Sequence, residues 1–419
     1  MSLRLLFSSI LFLFVFTVHA QYFSIEGTIK DEKNNESLPF ASITLKKSRL
    51  GTISNENGEF DMYIPESVKS DTLVISYIGF NNYEIPVKSI KDVLHITLTE
   101  ANNVLDEVLL TKLSPLDYIK LAKENMALNA PQTPFSTTAY YREKFTENKA
   151  VINKHEGVFE TYYKSFQDSA KSEHQLLLYR PEENPQQFKF MREWLDKKRE
   201  KSKKKALKKG EEWDDDWDED SFKMDFGGPE SVLDIDIYHD NDVNFLNPKH
   251  FNKYEYAFGE ETVLNGEPLL TIEYKAKKTI DYIRDSGTIL ISKDSYAIVH
   301  VEQKGKFSIP FLVKPILFAV GLKIANPRFT KTVTYQKYDD QWFPKLFRWD
   351  AKVRLEKRKS FEKNEEADIN IGQVFSVMEF NQEGGPIDPA KKFDSGEDMP
   401  DQVFNDKGLT WNNINIVKD

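Results

Sequence analysis

The chain has 419 residues, with 57 Lys and Arg against 67 Asp and Glu, a formal net charge of −10 and no cysteine. That balance argues against a general affinity for nucleic acid or anionic lipid, and the missing thiols exclude disulfides, thiolate metal sites and cysteine nucleophiles. Thirty Phe, 18 Tyr and 6 Trp suit half-buried pleated surfaces, and the length allows two or three domains with real cores.

Residues 1–20 have the form of a secretory signal. Arg4 supplies the positive start, Leu5–Val18 is apolar apart from Ser8, Ser9 and Thr17, and Val18-His19-Ala20 offers a cleavage site before Gln21. A run of roughly 14 apolar residues is short of the ~20 that span a bilayer, so cleavage is expected rather than a retained anchor. A lipoprotein would need a cysteine after the signal. The expected product is exported, periplasmic or outer-membrane-associated, with no transmembrane segment left after cleavage. The best later candidate, Ile309–Ala325, is interrupted by Pro310, Lys314, Pro315 and Lys323 and reads as an amphipathic strand or hairpin.

Residues 21–100 show short strands at regular spacing, the mark of a sandwich. Phe23–Ile29 and Pro39–Leu45 alternate apolar and polar residues. Gly51–Ser54 meets Glu59–Ile64 across Asn55-Glu56-Asn57-Gly58, where Asn and Gly tolerate positive φ. Leu73–Tyr77 is a buried strand, Ile78-Gly79-Phe80 a turn, and Val93–Leu98 closes the unit. The expectation is a seven-stranded Greek-key sandwich. Asn55–Glu59 lacks the further oxygen ligands and distal Glu of a calcium loop, so it is taken as a turn.

Gly27-Thr28-Ile29-Lys30-Asp31, Leu38-Pro39-Phe40-Ala41-Ser42-Ile43, Gly51-Thr52 with Asn57-Gly58-Glu59-Phe60, and Ile75-Ser76-Tyr77-Ile78-Gly79-Phe80 stand in the order of a known family. The segment resembles the carboxypeptidase regulatory-like domain, a transthyretin-like sandwich that accompanies carboxypeptidases and precedes many TonB-dependent receptors in Bacteroidetes. The resemblance does not extend to a zinc carboxypeptidase. None of His19, His95, His155, His174, His239, His250 and His300 is followed three residues later by Glu, and none forms a His-x-x-x-His pair. A three-ligand zinc site has no donor set, and no metal or cofactor is expected.

Residues 101–131 read as a linker and docking helix. Leu105–Thr111 resembles the stretch after this sandwich in TonB-dependent receptors, where the energy-coupling box lies. A receptor would need a plug and a large barrel beyond it, so that reading is set aside. Ser114 is placed to cap a helix, with Pro115 in its first turn and Asp117 complementing the dipole. Leu116, Ile119, Ala122 and Met126 form its apolar stripe, and Asn129-Ala130-Pro131 ends it.

From 132 to 381 long strands follow one another: Ser136–Phe145 and Val151–Phe166 as a hairpin, then Lys253–Phe258, Leu269–Ala276, Thr288–Ser292, Tyr296–Gln303 and Thr330–Tyr338. In the last long strand Phe347, Trp349, Ala351, Val353 and Leu355 alternate with Arg348, Asp350, Lys352 and Arg354, giving one greasy and one wet face. The fold class is therefore mainly β: the sandwich, then an antiparallel, strongly curved sheet or half-barrel with one early helix. A charged insertion spans 192–225, basic from Lys197 to Lys209 and acidic over Glu211–Asp220 around Trp213 and Trp217, and is taken as self-neutralising. Residues 382–419 are a C-terminal tail. Tyr140-Tyr141-Arg142, Gly228-Pro229, Asn244–Pro248, Gly287–Ile291 and Trp342-Phe343-Pro344 resemble a Bacteroidetes envelope family of unknown function. The Gly287–Val301 strand pair is also similar to lipoprotein-carrier half-barrels, which hold acyl chains.

There is no Gly-rich phosphate loop, Gly-x-Ser-x-Gly elbow or metalloprotease helix. Asp234, Asp236, Asp240 and Asp242 are a candidate carboxylate cluster, for a cation or for a hydrolase that needs two acids across a cleft. A polar strand edge accounts for them more simply. The reading is an exported, non-enzymatic envelope protein in which the sandwich docks and the second domain binds an apolar ligand such as a lipid, a glycan or a protein partner. The alternative is a periplasmic hydrolase. One small helix leaves much of the greasy face uncovered, so Phe347, Trp349 and Val353 are expected to line an apolar groove.

Overall fold

The structure is a computed structural model. It describes residues 22–101, 113–166, 172–190, 192–209, 227–238, 243–310, 312–319, 321–358 and 364–418. The expected signal, most of the linker and the acidic part of the insertion lie outside the described residues.

The sandwich is built from β1 (Tyr22–Asp31), β2 (Ser42–Leu45), β3 (Gly51–Ile53), β4 (Glu59–Pro65), β5 (Thr72–Ser76), β6 (Tyr83–Pro86) and β7 (Leu94–Leu98). One sheet has the order β4-β1-β7 and the other β3-β2-β5-β6. β1 runs parallel to β7 and antiparallel to β4. The period-2 pattern works as read: Phe60, Met62 and Ile64 of β4 are buried beside Ile25, Ile29, Ile43 and Ile75. At the β3–β4 turn, Asn55 Oδ1 accepts from the amides of Asn57 and Glu59, both at 2.9 Å. Gly58 has φ +75°, and a Cβ there would lie 2.4 Å from the Ile29 carbonyl oxygen, so this turn requires glycine.

The helix α1 (Pro115–Asn129) starts at a full capping box. Ser114 Oγ accepts from the Asp117 amide, and the Asp117 carboxylate accepts from the Ser114 amide at 3.0 Å. These hydrogen bonds, with Lys120 nearby, hold the Asp117 carboxyl down at about 2. Ile119, Ala122 and Met126 are buried, as the stripe requires.

The second domain is an antiparallel sheet of eleven strands, curved but not closed. They are β8 (Phe135–Glu147), β9 (Ala150–Tyr163), β10 (Glu173–Pro181), β11 (Tyr254–Phe258), β12 (Thr262–Leu264), β13 (Glu267–Ala276), β14 (Ile283–Ser292), β15 (Ile298–Phe307), β16 (Leu322–Tyr338), β17 (Gln341–Lys357) and β18 (Glu365–Asn381). The order is β10-β9-β8-β18-β17-β16-β15-β14-β13-β11, with β12 on β13. The last strand inserts between β8 and β17, which joins the two ends of the domain. The basic half of the insertion is a helix, α2 (Arg192–Lys209).

Both faces of this sheet are covered at its centre. Phe347, Phe375 and Tyr141 are register partners on the inner face, while Leu346, Ser376 and Tyr140 stand on the outer face. The inner face is packed by α1 and by an irregular segment that begins at α3 (Glu230–Leu233) and supplies Val232, Ile235, Tyr238, Phe245 and Leu246. Phe393 and Met399 of the tail complete that cluster.

On the outer face sit the sandwich and the end of the tail, where Ile53, Ile414 and Val417 bury against Tyr140, Val158, Leu177, Leu346 and Val374. The tail is thus a strap. Its Phe393 amide donates to the His174 carbonyl at 2.7 Å and its Phe404 amide to Leu176 at 2.8 Å, which occupies the free edge of β10. It then reaches the sandwich, where Asn415 Oδ1 accepts from the Tyr63 amide at 2.6 Å and Lys418 pairs with Asp61 at 2.7 Å.

Candidate functional site

The three groove candidates do not come together. Phe347 is fully buried on the inner face beside the rings of Tyr335 and Phe375. Trp349 packs partly against the same core. Val353 belongs to another cluster with Phe145, Phe190 and Ile369. The reason is the cover: residues 229–238 and 243–254 and the tail fill the space that α1 leaves. Of the candidate carboxylates, Asp240 and Asp242 lie outside the described residues. Asp236 is buried on the inner face, accepting from Tyr335 Oη at 2.6 Å and from the Tyr238 amide at 3.1 Å. It accepts the proton of a buried hydroxyl that itself accepts from the Ile237 amide at 2.9 Å. Asp234 stands in the turn after α3.

The open space is on the other face. Besides the buried contact of Ile53, polar contacts tie the sandwich to the sheet at several places. The Gly79 amide donates to the Val263 carbonyl of β12 at 2.9 Å. Farther along, Leu50 bridges to Glu379 of β18, and Arg49 pairs with Asp339 at 2.9 Å while lying over the Tyr338 ring. A cleft runs under the sandwich, floored by the wet side of β13 to β18 and β8.

Arg348 and Phe40 divide the cleft into two lobes, and both residues line each lobe. The Arg348 guanidinium lies 4.3 Å from the Phe40 ring centroid and pairs with Glu56 at 3.3 Å and Asp350 at 2.6 Å. Burial nevertheless pushes the Asp350 carboxyl up, against the pull of Arg348.

The first lobe, about 570 Å³, is floored by threonines at 271, 288, 330, 332 and 334 and roofed by Tyr77 and Ile78 of the sandwich. His300 Nδ1 lies 2.9 Å from Thr334 Oγ1, and burial lowers its imidazole to about 4 although Glu302 pulls it upward. The Lys345 ammonium donates to the Val377 carbonyl at 3.2 Å, and burial lowers it to about 8. Burial raises the Tyr77 hydroxyl, reinforced by Glu302 across the cleft. This lobe offers hydroxyls, a neutral imidazole and aromatic surface.

The second lobe, about 660 Å³, is basic: Arg142 and Lys144 of β8, Lys149, Arg348, Lys352 and Lys418 surround it, against Glu56 and Asp350. Lys144 and Lys149 make no ion pair among the described residues. The positions follow from register. Arg348, Val374 and Arg142 are consecutive partners across β17, β18 and β8, and Asp350, Gly372 and Lys144 form the next row on the same face. The alternation of Arg348, Asp350 and Lys352 marked the wet face in the sequence, but nothing in the sequence placed Arg142 and Lys144 beside it.

Residues 25–110 match the family model of the CarboxypepD_reg-like domain. Over the N-terminal region the chain is 38% identical, across 92 residues, to the TonB-dependent receptor P26 of Formosa agariphila. It is 30% identical, across 89 residues, to the TonB-dependent receptor SusC of Bacteroides thetaiotaomicron. The matches take in 22% and 21% of this chain, and the chain spans only 8% of each receptor's length. Among solved structures, a DUF1329 family protein from Desulfovibrio piger aligns over 66% of this chain and 96% of its own at 11% identity. Its TM-score of 0.23 is too low to inform the fold. The N-terminal sandwich is a CarboxypepD_reg-like domain, and the N-terminal region is similar to a short part of two TonB-dependent receptors.

Proposed function

We propose that this is an exported, non-enzymatic envelope protein, periplasmic or associated with the outer membrane, in which the sandwich and the curved sheet together hold a binding cleft for an acidic oligosaccharide. One observation carries the reading: six cations against two acids around a cavity of about 660 Å³, in a chain whose net charge is −10. Concentrating positive charge in one walled cleft of an acidic protein favours an anionic ligand. The adjoining lobe of threonines with Phe40 and Tyr77 adds hydroxyl and aromatic contacts, which suit a ligand rich in hydroxyl groups. The kinship with TonB-dependent receptors supports the envelope setting.

Calorimetric titration with oligogalacturonate, and with the same oligosaccharide after its carboxylates are reduced to alcohols, tests this. The charged form binds, the neutral form binds at least about tenfold more weakly, and the affinity of the charged form falls with salt. Equal binding of both forms, or binding of neither, contradicts the proposal.

A further inference from the structure

The hairpin between β15 and β16 carries a tip unlike the rest of the surface. Leu312, Ile316 and Phe318 are 78%, 64% and 72% exposed, and Val313 is exposed beside them. The short helix α4 (Lys314–Ala319) turns only Leu317 partly inward. The turn before β14 stands next to the base of the hairpin, because the Ser308 amide donates to the Tyr282 carbonyl at 2.7 Å, and the Tyr282 ring is exposed there. Large apolar side chains gathered at one protruding point are a contact surface rather than scattered surface residues.

Immediately below the tip, four cations stand in one row across four strands. Arg284 of β14 is the register partner of Lys306, Lys306 of Arg328, and Arg328 of Lys352. All four are exposed, and among the described residues none makes an ion pair or a side-chain hydrogen bond. Like charges directly opposite one another destabilise a sheet. An external anionic surface neutralises such a row. Lys314 and Arg358 add positive charge on the tip itself, with the Arg358 guanidinium 5.6 Å from the Phe318 ring centroid.

From this arrangement we infer that this end of the sheet docks on an anionic lipid bilayer. The side chains of Leu312, Val313, Ile316 and Phe318 enter the acyl boundary, Tyr282 lies at headgroup level, and Arg284, Lys306 and Arg328 face the phosphates. Charge complementarity selects this occupant: a purely apolar partner would bury the tip and leave the opposed cations Arg284 and Lys306 with no anionic counter-surface, while Arg328 and Lys352 have only the carboxylates of Asp368 and Asp350 nearby. The contact is peripheral, since the tip is short and no helix among the described residues is long and apolar enough to cross a membrane. A net charge of −10 does not oppose it, because screening confines the interaction to groups within about 10 Å of the surface.

Flotation of the chain from Gln21 to Asp419, which keeps every described element, with phosphatidylcholine vesicles containing or lacking phosphatidylglycerol is the test. Binding to the anionic vesicles, weakened by salt, is expected. Ile316→Asp with Phe318→Asp, and separately Arg284→Glu with Lys306→Glu, should each reduce it about tenfold or more. All four side chains are exposed, so matched thermal melts will show that these variants fold. In Phe318→Trp, anionic vesicles should shift the emission to the blue and brominated lipid should quench it. Failure of the parent chain to bind anionic vesicles, binding that both pairs of substitutions leave intact, or a self-association that Phe318→Asp abolishes without any vesicle binding overturns the inference.

Discussion

The Arg348 guanidinium lies 4.3 Å from the centroid of the Phe40 ring, so a strand of the curved sheet and a loop of the sandwich meet at one charged contact between the two lobes of the cleft. Arg348 also pairs with Glu56 of the sandwich and Asp350 of its own strand. Arg348→Ala should therefore act on the junction and the ligand together. A loss of about 1–2 kcal/mol of stability is expected, with a drop in oligogalacturonate affinity of about tenfold. Denaturant melts and calorimetry measure the two effects. Arg348→Lys should recover part of the stability but less of the stacking, since a point charge does not replace a planar guanidinium.

Phe347 makes the converse case. It is fully buried on the inner face, so Phe347→Ala should cost about 3–5 kcal/mol of stability. Affinity for an outer-face ligand should stay unchanged at temperatures where the variant is folded. An equilibrium urea titration and a binding isotherm below the melting point check this pair of outcomes.

The strap predicts a long-range effect near the chain end. Ile414 is buried between the sandwich and the sheet with Ile53 and Leu346. Ile414→Ala should destabilise by about 2–4 kcal/mol. It should also separate the unfolding of the sandwich from that of the sheet, giving two transitions by differential scanning calorimetry. Leu128→Ala, at an exposed position of α1, should leave a single transition.

His174 is buried between Thr161 and Ser172, and burial lowers its imidazole to about 3. In the unfolded chain it takes up a proton near pH 6.5, while the folded protein holds it neutral. The unfolded state binds the extra proton in this window, so stability falls as pH drops from about 6.5 towards 3 and is fully present above 6.5. The contribution has a slope of at most about 1.4 kcal/mol per pH unit. Subtracting the pH profile of His174→Gln from that of the parent isolates it from the carboxylates that titrate over the same range.

Period-2 patterning made the strands legible, and with them the two faces of β17. It could not show which face would be sealed. The cover on the inner face as a whole comes from Val232, Ile235, Phe245 and Phe393, apolar residues in short irregular pieces with no period to announce a packing role. A greasy strand face signals only that something must cover it. The wet face carried the same ambiguity in reverse. Arg348 and Lys352 read as ordinary solvated positions until register set Arg142 and Lys144 two strands away and the sandwich was placed above them. Register and domain docking depend on contacts such as Ile53 with Ile414, separated by most of the chain, and local propensity does not reach that far.

Hydrogen–deuterium exchange of the chain with and without oligogalacturonate tests the central claim most directly, namely that ligand sits on the outer polar face beneath the sandwich. Protection should appear in β8 around Arg142–Thr146, in β17 around Arg348–Lys352 and in the Pro39–Ser42 stretch of the sandwich. Protection confined to α1 and segment 229–254, or no change anywhere under conditions that saturate binding, would contradict the account.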